Sequence, residues 1–212
     1  MALDRLSRKA ERQATAREEL DAFLDSQLVG VLATVLDGQP WAVPLLFGRD
    51  GDRILLHGST GAGALRHVAA GAPAALCVTA IDGPVVAEST FESSANYRSA
   101  VIRGQLELAP DTTKAAALQA ISERLLPGRN AEVPPSTTKE LAATMALALP
   151  IVEGGWLMKT RSGPPSEPSG PVGVWCGVVP LTLTAGAVQE APWSSGPVPP
   201  SVTDFLARHG GA

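Results

Sequence analysis

Between Leu28 and Gly58 the chain repeats one device, a short apolar run followed by a break rich in Asp and Gly. VGVLATVL is followed by Asp37-Gly38, QPWAVPLLF by Arg49-Asp50-Gly51-Asp52, and RILLHG closes the series. Asp-Gly supplies the positive φ values that two-residue hairpins require, so the stretch predicts an antiparallel meander of three strands. Further runs, AALCVTA, PVVAESTF after a third Asp-Gly at Asp82-Gly83, and RSAVIRGQLEL, bring the expectation to about six strands by Leu108. Many short strands joined by tight turns favour a barrel or a sandwich over a parallel α/β sheet. Pro44 cannot donate a ladder hydrogen bond, so it marks an edge, a bulge, or a place where something other than a strand lies alongside.

Helices flank this core. Thr15-x-x-Glu18 reads as a capping box ahead of a helix near residues 16 to 27, with Leu20, Phe23 and Leu24 on one face. Asp111 is expected to cap a helix carrying Leu118, Ile121 and Leu125, closed by Pro127-Gly128. Thr137-x-x-Glu140 opens another, with Leu141 and Met145 one turn apart. LALPIVEGGWLMKT is expected to return as a strand, TRSGPPSEPSGPVG is linker-like, and VWCGVVPLTLT is a last strand candidate. The organisation predicted is one domain over residues 1 to 184 and a mobile C-terminal tail over 185 to 212, with at best a short terminal helix in SVTDFLARHG.

The stretch ILLHGSTGAGALR, Ile54 to Arg66, reads as a strand running into a helix, with Leu65 and Val68 on the apolar side and Gly71 and Pro73 ending it. Such a junction offers free backbone N–H groups and the positive end of a helix dipole, which suit a phosphate. The competing reading is that Gly61 and Gly63 relieve crowding in a turn.

Composition excludes several classes. With 45% hydrophobic and 18% charged residues among 212, the chain is ordinary for a globular domain, and no apolar run approaches the roughly 20 residues that span a bilayer. A net charge of −4 with scattered Lys and Arg argues against non-specific nucleic-acid binding. The N-terminus is charged and lacks the apolar core of an export signal, so a cytoplasmic location is expected. Cys77 and Cys176 lie in apolar runs that suit buried reduced thiols. His57, His67 and His209 have no ligand partner at metal-site spacing, so no metal centre is expected.

The meander DGQPWAVPLLFGRDGDRILLHGS, followed by DGPVVAESTFESSANYRSAVIRG, resembles the pyridoxamine 5'-phosphate oxidase-like flavin-nucleotide-binding family, nearest to its nitroimidazole-resistance-type branch. The likeness continues through LPGRNAEVPPSTTKELAAT and the SGPP and VWCGVVPL pieces, roughly residues 17 to 183. It implies a mainly β, α+β fold: a six-stranded antiparallel split β-barrel with flanking helices, working as a homodimer with FMN in a groove where two subunits meet. By position, Val43, Pro44 and Leu45 would present strand backbone to the flavin ring. His57, Gly58, Ser59 and Thr60 would follow the ribityl-phosphate arm, and Tyr97, Arg98 and Ser99 would open a long strand near the cofactor or the partner subunit.

Each assignment has a plainer reading. His57 can be a satisfied strand-end histidine, Ser59 or Thr60 a helix N-cap, Arg98 a salt-bridge residue and Tyr97 core packing. Two departures from the family pattern stand out. Where relatives place Ser-Arg or Arg-Lys after the His-Gly-Ser turn, this chain has Gly61, Ala62 and Gly63, with Arg66 one turn further on as the replacement cation. Where relatives read His-His-Ser-Met-Asn-Tyr-Arg-Ser, this chain reads Glu92 to Ser99 without the histidines, and Glu92 weakly opposes an anionic cofactor. The resemblance implies an FMN-dependent oxidoreductase passing hydride between a reduced nicotinamide or small substrate and an acceptor, with His57 in proton transfer. The alternatives are a small-ligand binding module that has lost tight flavin binding, or the same fold using deazaflavin or haem.

Overall fold

The computed structural model describes residues 4–168, 170 and 173–210. Its centre is one antiparallel sheet. The strands are β1 (Gln13–Ala14), β2 (Val29–Leu36), β3 (Gln39–Asp50), β4 (Arg53–Ser59), β5 (Pro73–Val86), β6 (Ser94–Gln105), β7 (Glu107–Leu108), β8 (Thr144–Pro150), β9 (Trp156–Arg161) and β10 (Gly177–Val178). They lie in the order β1-β9-β6-β5-β2-β3-β4-β8-β7, with β10 on β5. The helices are α1 (Arg17–Asp25), α2 (Gly63–Ala69), α3 (Asp111–Leu125), α4 (Thr138–Ala143) and α5 (Pro200–Arg208). None is long and apolar enough to cross a membrane.

The expected meander forms. Asp37 and Gly38, at φ 50° and 73°, make the two-residue turn between β2 and β3, as a type I′ hairpin demands. Its six-strand count is too low, because the sheet has ten strands, nine of them on one hydrogen-bonded path that stays open between β1 and β7 and β10 beside β5. The chain bends near Leu106 between β6, which pairs with β5 and β9, and β7, which pairs with β8. One stretch of chain therefore carries both the third strand of the path, β6, and its last, β7.

Directly opposed residues in an antiparallel ladder share a face, and this sorts the sheet into an inside and an outside. Leu32, Phe47, Leu56, Leu76, Ile102, Leu147 and Met158 point inward and are almost completely buried, with Leu20, Phe23 and Leu24 of α1 packed among them. Val31 faces outward, opposite Pro44 on β3 and Cys77 on β5, and the row continues to Val101 on β6 and Leu157 on β9. α3 covers a different part of the outside, where Ile121 packs on Leu55 and Ala148. Arg49 on β3 fastens α1, its Nε 3.0 Å from Asp25.

Several local expectations change. Asp82-Gly83 is no turn: β5 runs straight through it, and a bulge between Ile81 and Gly83 absorbs the extra residue. α1 starts one residue later than a Thr15 cap would place it, with Ala16 at the N-cap and no side-chain bond. Asp111 is the first residue of α3 and Pro110 its N-cap; the Asp111 carboxylate instead meets Lys114 at 2.8 Å. The Thr137–Glu140 capping box is present, the Thr137 N–H donating to Glu140 at 2.7 Å. Met145 belongs to β8, and LALPIVEGGWLMKT splits into β8 and β9 around a turn. VWCGVVPLTLT contributes only the two residues of β10, and Ser169, Pro171 and Val172 of the expected linker lie outside the described residues. Cys77 is half-buried on the outer face rather than in the core; both cysteines are free thiols. The terminal helix forms as α5, where the Ser201 N–H and hydroxyl donate to the Glu132 carboxylate at 2.9 and 2.6 Å.

Leu56 is 0% exposed at the centre of the inner face. Leu56→Ala removes its contacts and leaves a void, so chemical denaturation is expected to show a loss of about 2 to 5 kcal/mol. A loss below about 1 kcal/mol would show that the core at this point closes up around smaller side chains.

Candidate functional site

The site arises where β3 changes partners. Gln39–Leu46 pairs with β2, whereas Phe47–Asp50 pairs with β4, as Phe47↔Leu56 through Asp50↔Arg53. Beyond Leu56, β4 leaves β3 and keeps pairing with β8 through Ser59↔Thr144. The second edge of β3 from Gln39 to Leu46 thus carries no strand among the described residues. Its amides and carbonyls face a groove whose far wall is the end of β4 and the loop into α2. Pro44, lacking an N–H, is tolerated on such a half-paired strand. Val43 and Leu45 turn inward against the core, while Pro44 is exposed on the outer face.

His57 stands on this far wall, opposite Ala146 and half-buried. Its Nδ1 is enclosed without a hydrogen-bond partner. Nε2 is not enclosed in this way. Gly58 has a packing reason, since a Cβ there would lie 2.2 Å from Leu65 Cδ1 and force the Leu65 side chain of α2 to move. Ser59 and Thr60 do not cap α2. The Ser59 hydroxyl accepts from the Gly61 N–H at 3.1 Å, the Thr60 hydroxyl donates to the Ala143 carbonyl at 3.3 Å, and Ala62 is the N-cap. Both hydroxyls shape the turn, and with seven residues α2 has only a small dipole. Gly63 opens on empty space, and Gly61 has only the Ser59 hydroxyl nearby, so crowding does not force either glycine. Arg66 is exposed and makes no side-chain hydrogen bond or ion pair with the described residues.

The second cluster lies elsewhere. β6 is three ladder steps from β3, about 14 Å at the usual strand spacing. Tyr97 and Ser99 face outward with Val101, whereas Arg98 turns to the inner side, donates to Asp82 at 3.1 and 2.7 Å and lies over the Phe23 ring at 5.3 Å. The hydrogen bond to Asp82 raises the Arg98 guanidinium above its ordinary value, so this cation is committed to the fold. Within one chain, the structure brings Val43, Pro44, Leu45 and the His57–Thr60 segment to one groove and leaves Tyr97, Arg98 and Ser99 outside it.

Sequence reading passes over two features beside this groove. A cleft of about 650 Å³ on the outer side of the sheet is lined by Ala33, Val35, Ala75, Arg103 and Gln105 among others. Arg103 Nη2 is enclosed there without a partner. His67 Nε2 lies 2.9 Å from the carbonyl of Val35, a residue of the same cleft. The alternation in RSAVIRG signals that Arg98 and Arg103 face opposite sides, but not which side is wet. No group of three or more His, Cys, Asp or Glu residues could hold a metal among the described residues.

Burial pushes the Tyr97 phenol up, but hydrogen bonds and charge from Lys159 and Arg12 outweigh it and hold the group below its ordinary value. Tyr97 is the chain's one tyrosine, so its ionisation can be followed directly by ultraviolet absorbance. The midpoint is expected below the ordinary value of 10.0, and Lys159→Met is expected to move it upward. An unchanged midpoint in the variant would show that Lys159 does not reach the hydroxyl.

The family model for pyridoxamine 5'-phosphate oxidase matches residues 16–154. Among solved structures, the FAD and heme binding protein from Mycobacterium smegmatis is 48% identical, with a TM-score of 0.87 over 91% of this chain and 96% of that one. The flavocytochrome Anf3 from Azotobacter vinelandii is 27% identical, with a TM-score of 0.87 over 94% of each chain. A protein described as a 5-nitroimidazole antibiotic resistance protein from Bacteroides thetaiotaomicron shares the fold at 17% identity, with a TM-score of 0.56 over 69% of this chain and 85% of that one. Among curated proteins none matches. A split antiparallel barrel with a partner switch in its third strand, matched over most of its length by the family model, places this chain in the pyridoxamine 5'-phosphate oxidase family.

Proposed function

We propose that the chain binds a flavin nucleotide in the groove between the free edge of β3 and the His57 end of β4, and acts there as a cytoplasmic oxidoreductase. The observation that carries this reading is the unpaired backbone of Gln39–Leu46, an edge of β3 that no strand among the described residues covers, with the half-buried His57 at the end of the diverging β4. Ring carbonyls and nitrogens of a flavin match such an edge, because strand N–H and C=O groups alternate along it. The 48% identical FAD and heme binding protein supports the same cofactor class.

The residues present favour FAD over the FMN implied by the family resemblance. FMN ends in a phosphate dianion, and Gly61, Ala62 and Gly63 offer it no cation. A diphosphate spreads its charge, and an adenine adds contact area that needs no ion pair. Arg66 is the cation placed to meet the phosphates. When bound, the flavin supplies hydride transfer between a reduced nicotinamide or small substrate and an acceptor. The chain's part is to hold the ring on the β3 edge and to exclude water with Val43 and Leu45. His57 Nε2 can hold or release a proton beside the groove.

The site is best completed by a second copy. Tyr97 and Ser99 lie on the outer sheet face with Val31, Pro44, Val101 and Leu157, a face suited to a twofold contact that brings them to the partner's groove. A haem reading is favoured by the Arg103 cleft. Arg103 suits a carboxylate, and His67, with Nε2 engaged by a backbone carbonyl, keeps Nδ1 as a ligand atom.

Purified protein is expected to be yellow, with bands near about 370 and 450 nm, and the mass of the released cofactor distinguishes FAD from FMN. A Soret band near about 410 nm would establish the haem reading as well. Colourless protein that takes up neither FAD nor FMN at micromolar concentration would contradict the flavin assignment. Arg66→Ala is expected to weaken flavin binding by about 1.5 to 3 kcal/mol, measured by quenching of flavin fluorescence. Unchanged affinity would show that Arg66 points elsewhere.

A further inference from the structure

Residues 173 to 198 run almost without regular structure, yet they are not loose. Gly177 and Val178 pair with Val86 and Val85, and the N–H groups of Val179 and Leu181 each donate at 3.0 Å to the carbonyls of Pro84 and Asp82. Gly83 makes this approach possible, because a Cβ there would lie 2.2 Å from the Val179 carbonyl oxygen. At the other end, α5 is pinned by Ser201 to Glu132, and the Ala185 N–H donates to the His209 carbonyl at 3.0 Å. The segment is a strap fastened at both ends.

That strap turns its large apolar side chains outward. Leu183 is 88% exposed, Trp193 87% and Trp175 65%, and Val174, Val179, Leu181, Val188 and Val198 are about half exposed or more. Isolated apolar side chains on a surface are ordinary, but eight in one anchored segment are not. The same stretch contains one charged residue, Glu190, which excludes recognition by ion pairing and matches the charge-poor centre of a protein interface.

We infer that the strap of residues 173 to 198 packs across a second copy of this chain. The inference rests on the dimer reading given above and adds a contact that the sheet face alone does not make. Two observations select a second copy as the occupant. Val29, Val31, Val35 and Ile81 leave the outer sheet face of the same chain bare as well, so each copy has both a strap to offer and an apolar surface to receive one. At about 150 to 250 Å² for a fully exposed tryptophan and less for the aliphatic residues, strap and sheet together expose on the order of 1,000 Å² of apolar residues, against about 800 Å² per partner in a stable interface. An isologous contact uses such a pair of surfaces twice.

The test uses the full chain, with and without added FAD, and the double variant Leu183→Gln/Trp193→Gln. Both sites are exposed in the single chain, so the variant is expected to keep the wild-type far-ultraviolet circular dichroism and melting temperature. Sedimentation equilibrium is expected to give wild type at twice 21.8 kDa and a dimer dissociation constant raised roughly thirty-fold or more in the variant. Acrylamide quenching of tryptophan emission is expected to fall as wild-type concentration rises. A folded variant that dimerises as tightly as wild type would overturn the strap contact and leave the dimer standing. Wild type that stays monomeric at about 50 μM would overturn both. Quenching that falls with added FAD but not with concentration would show that the strap covers the chain's own groove, and would also overturn the inference. None of these outcomes depends on the cofactor spectrum, which decides the flavin reading separately.

Discussion

A β-strand within a sheet must satisfy backbone donors and acceptors along both edges, and over two thirds of its length, Gln39 to Leu46, β3 has a strand partner on one edge only. It pairs with β2 from Gln39 to Leu46, then with β4 from Phe47 onward, because β4 diverges to stay with β8. The flavin site proposed for this protein depends on that partner switch. It leaves polar backbone facing a gap, and a ligand with its own donors and acceptors is the natural way to satisfy it. The hydrophobic floor of the gap is already paid for by the core, since Val43 and Leu45 pack against the cluster that contains Leu32, Phe47 and Leu56.

The charges follow the same economy of place. Arg98 and Arg49 are drawn into ion pairs with Asp82 and Asp25, which tie β6 to β5 and α1 to β3. These cations hold the barrel's end together and leave the groove only weakly charged. Arg66 and Arg103, which have no carboxylate partner among the described residues, lie on the two surfaces where an anionic ligand group could approach. A weakly charged groove suits a broad, largely uncharged ring better than a compact dianion.

Much of the fold was legible from local chemistry. Asp37-Gly38 announced its hairpin because Asp-Gly is one of the few pairs that adopt two positive φ angles at little cost, and Thr137 with Glu140 announced its capping box. The same Asp-Gly signal misled at Asp82-Gly83, because a bulge and a turn both need the freedom of glycine, and only the ladder on either side decides whether the chain reverses. Of the candidate site, His57 and the Val43–Leu45 strand could be located from sequence, as both depend on neighbours within the meander. The direction of Arg98 could not, because it follows from Ala100 and Ile102 facing the core. The distance between Tyr97 and the groove could not either, because it depends on a strand order in which β5 and β2 separate β6 from β3.

The central claim is that the free edge of β3 is where the cofactor lies. Backbone hydrogen exchange in the presence and absence of saturating FAD addresses it without assuming a reaction. Slower exchange on binding is expected in Trp41 to Leu46 and in His57 to Ala62, the two walls of the groove. FAD binding that leaves both segments unchanged while protecting another part of the sheet would contradict the assignment.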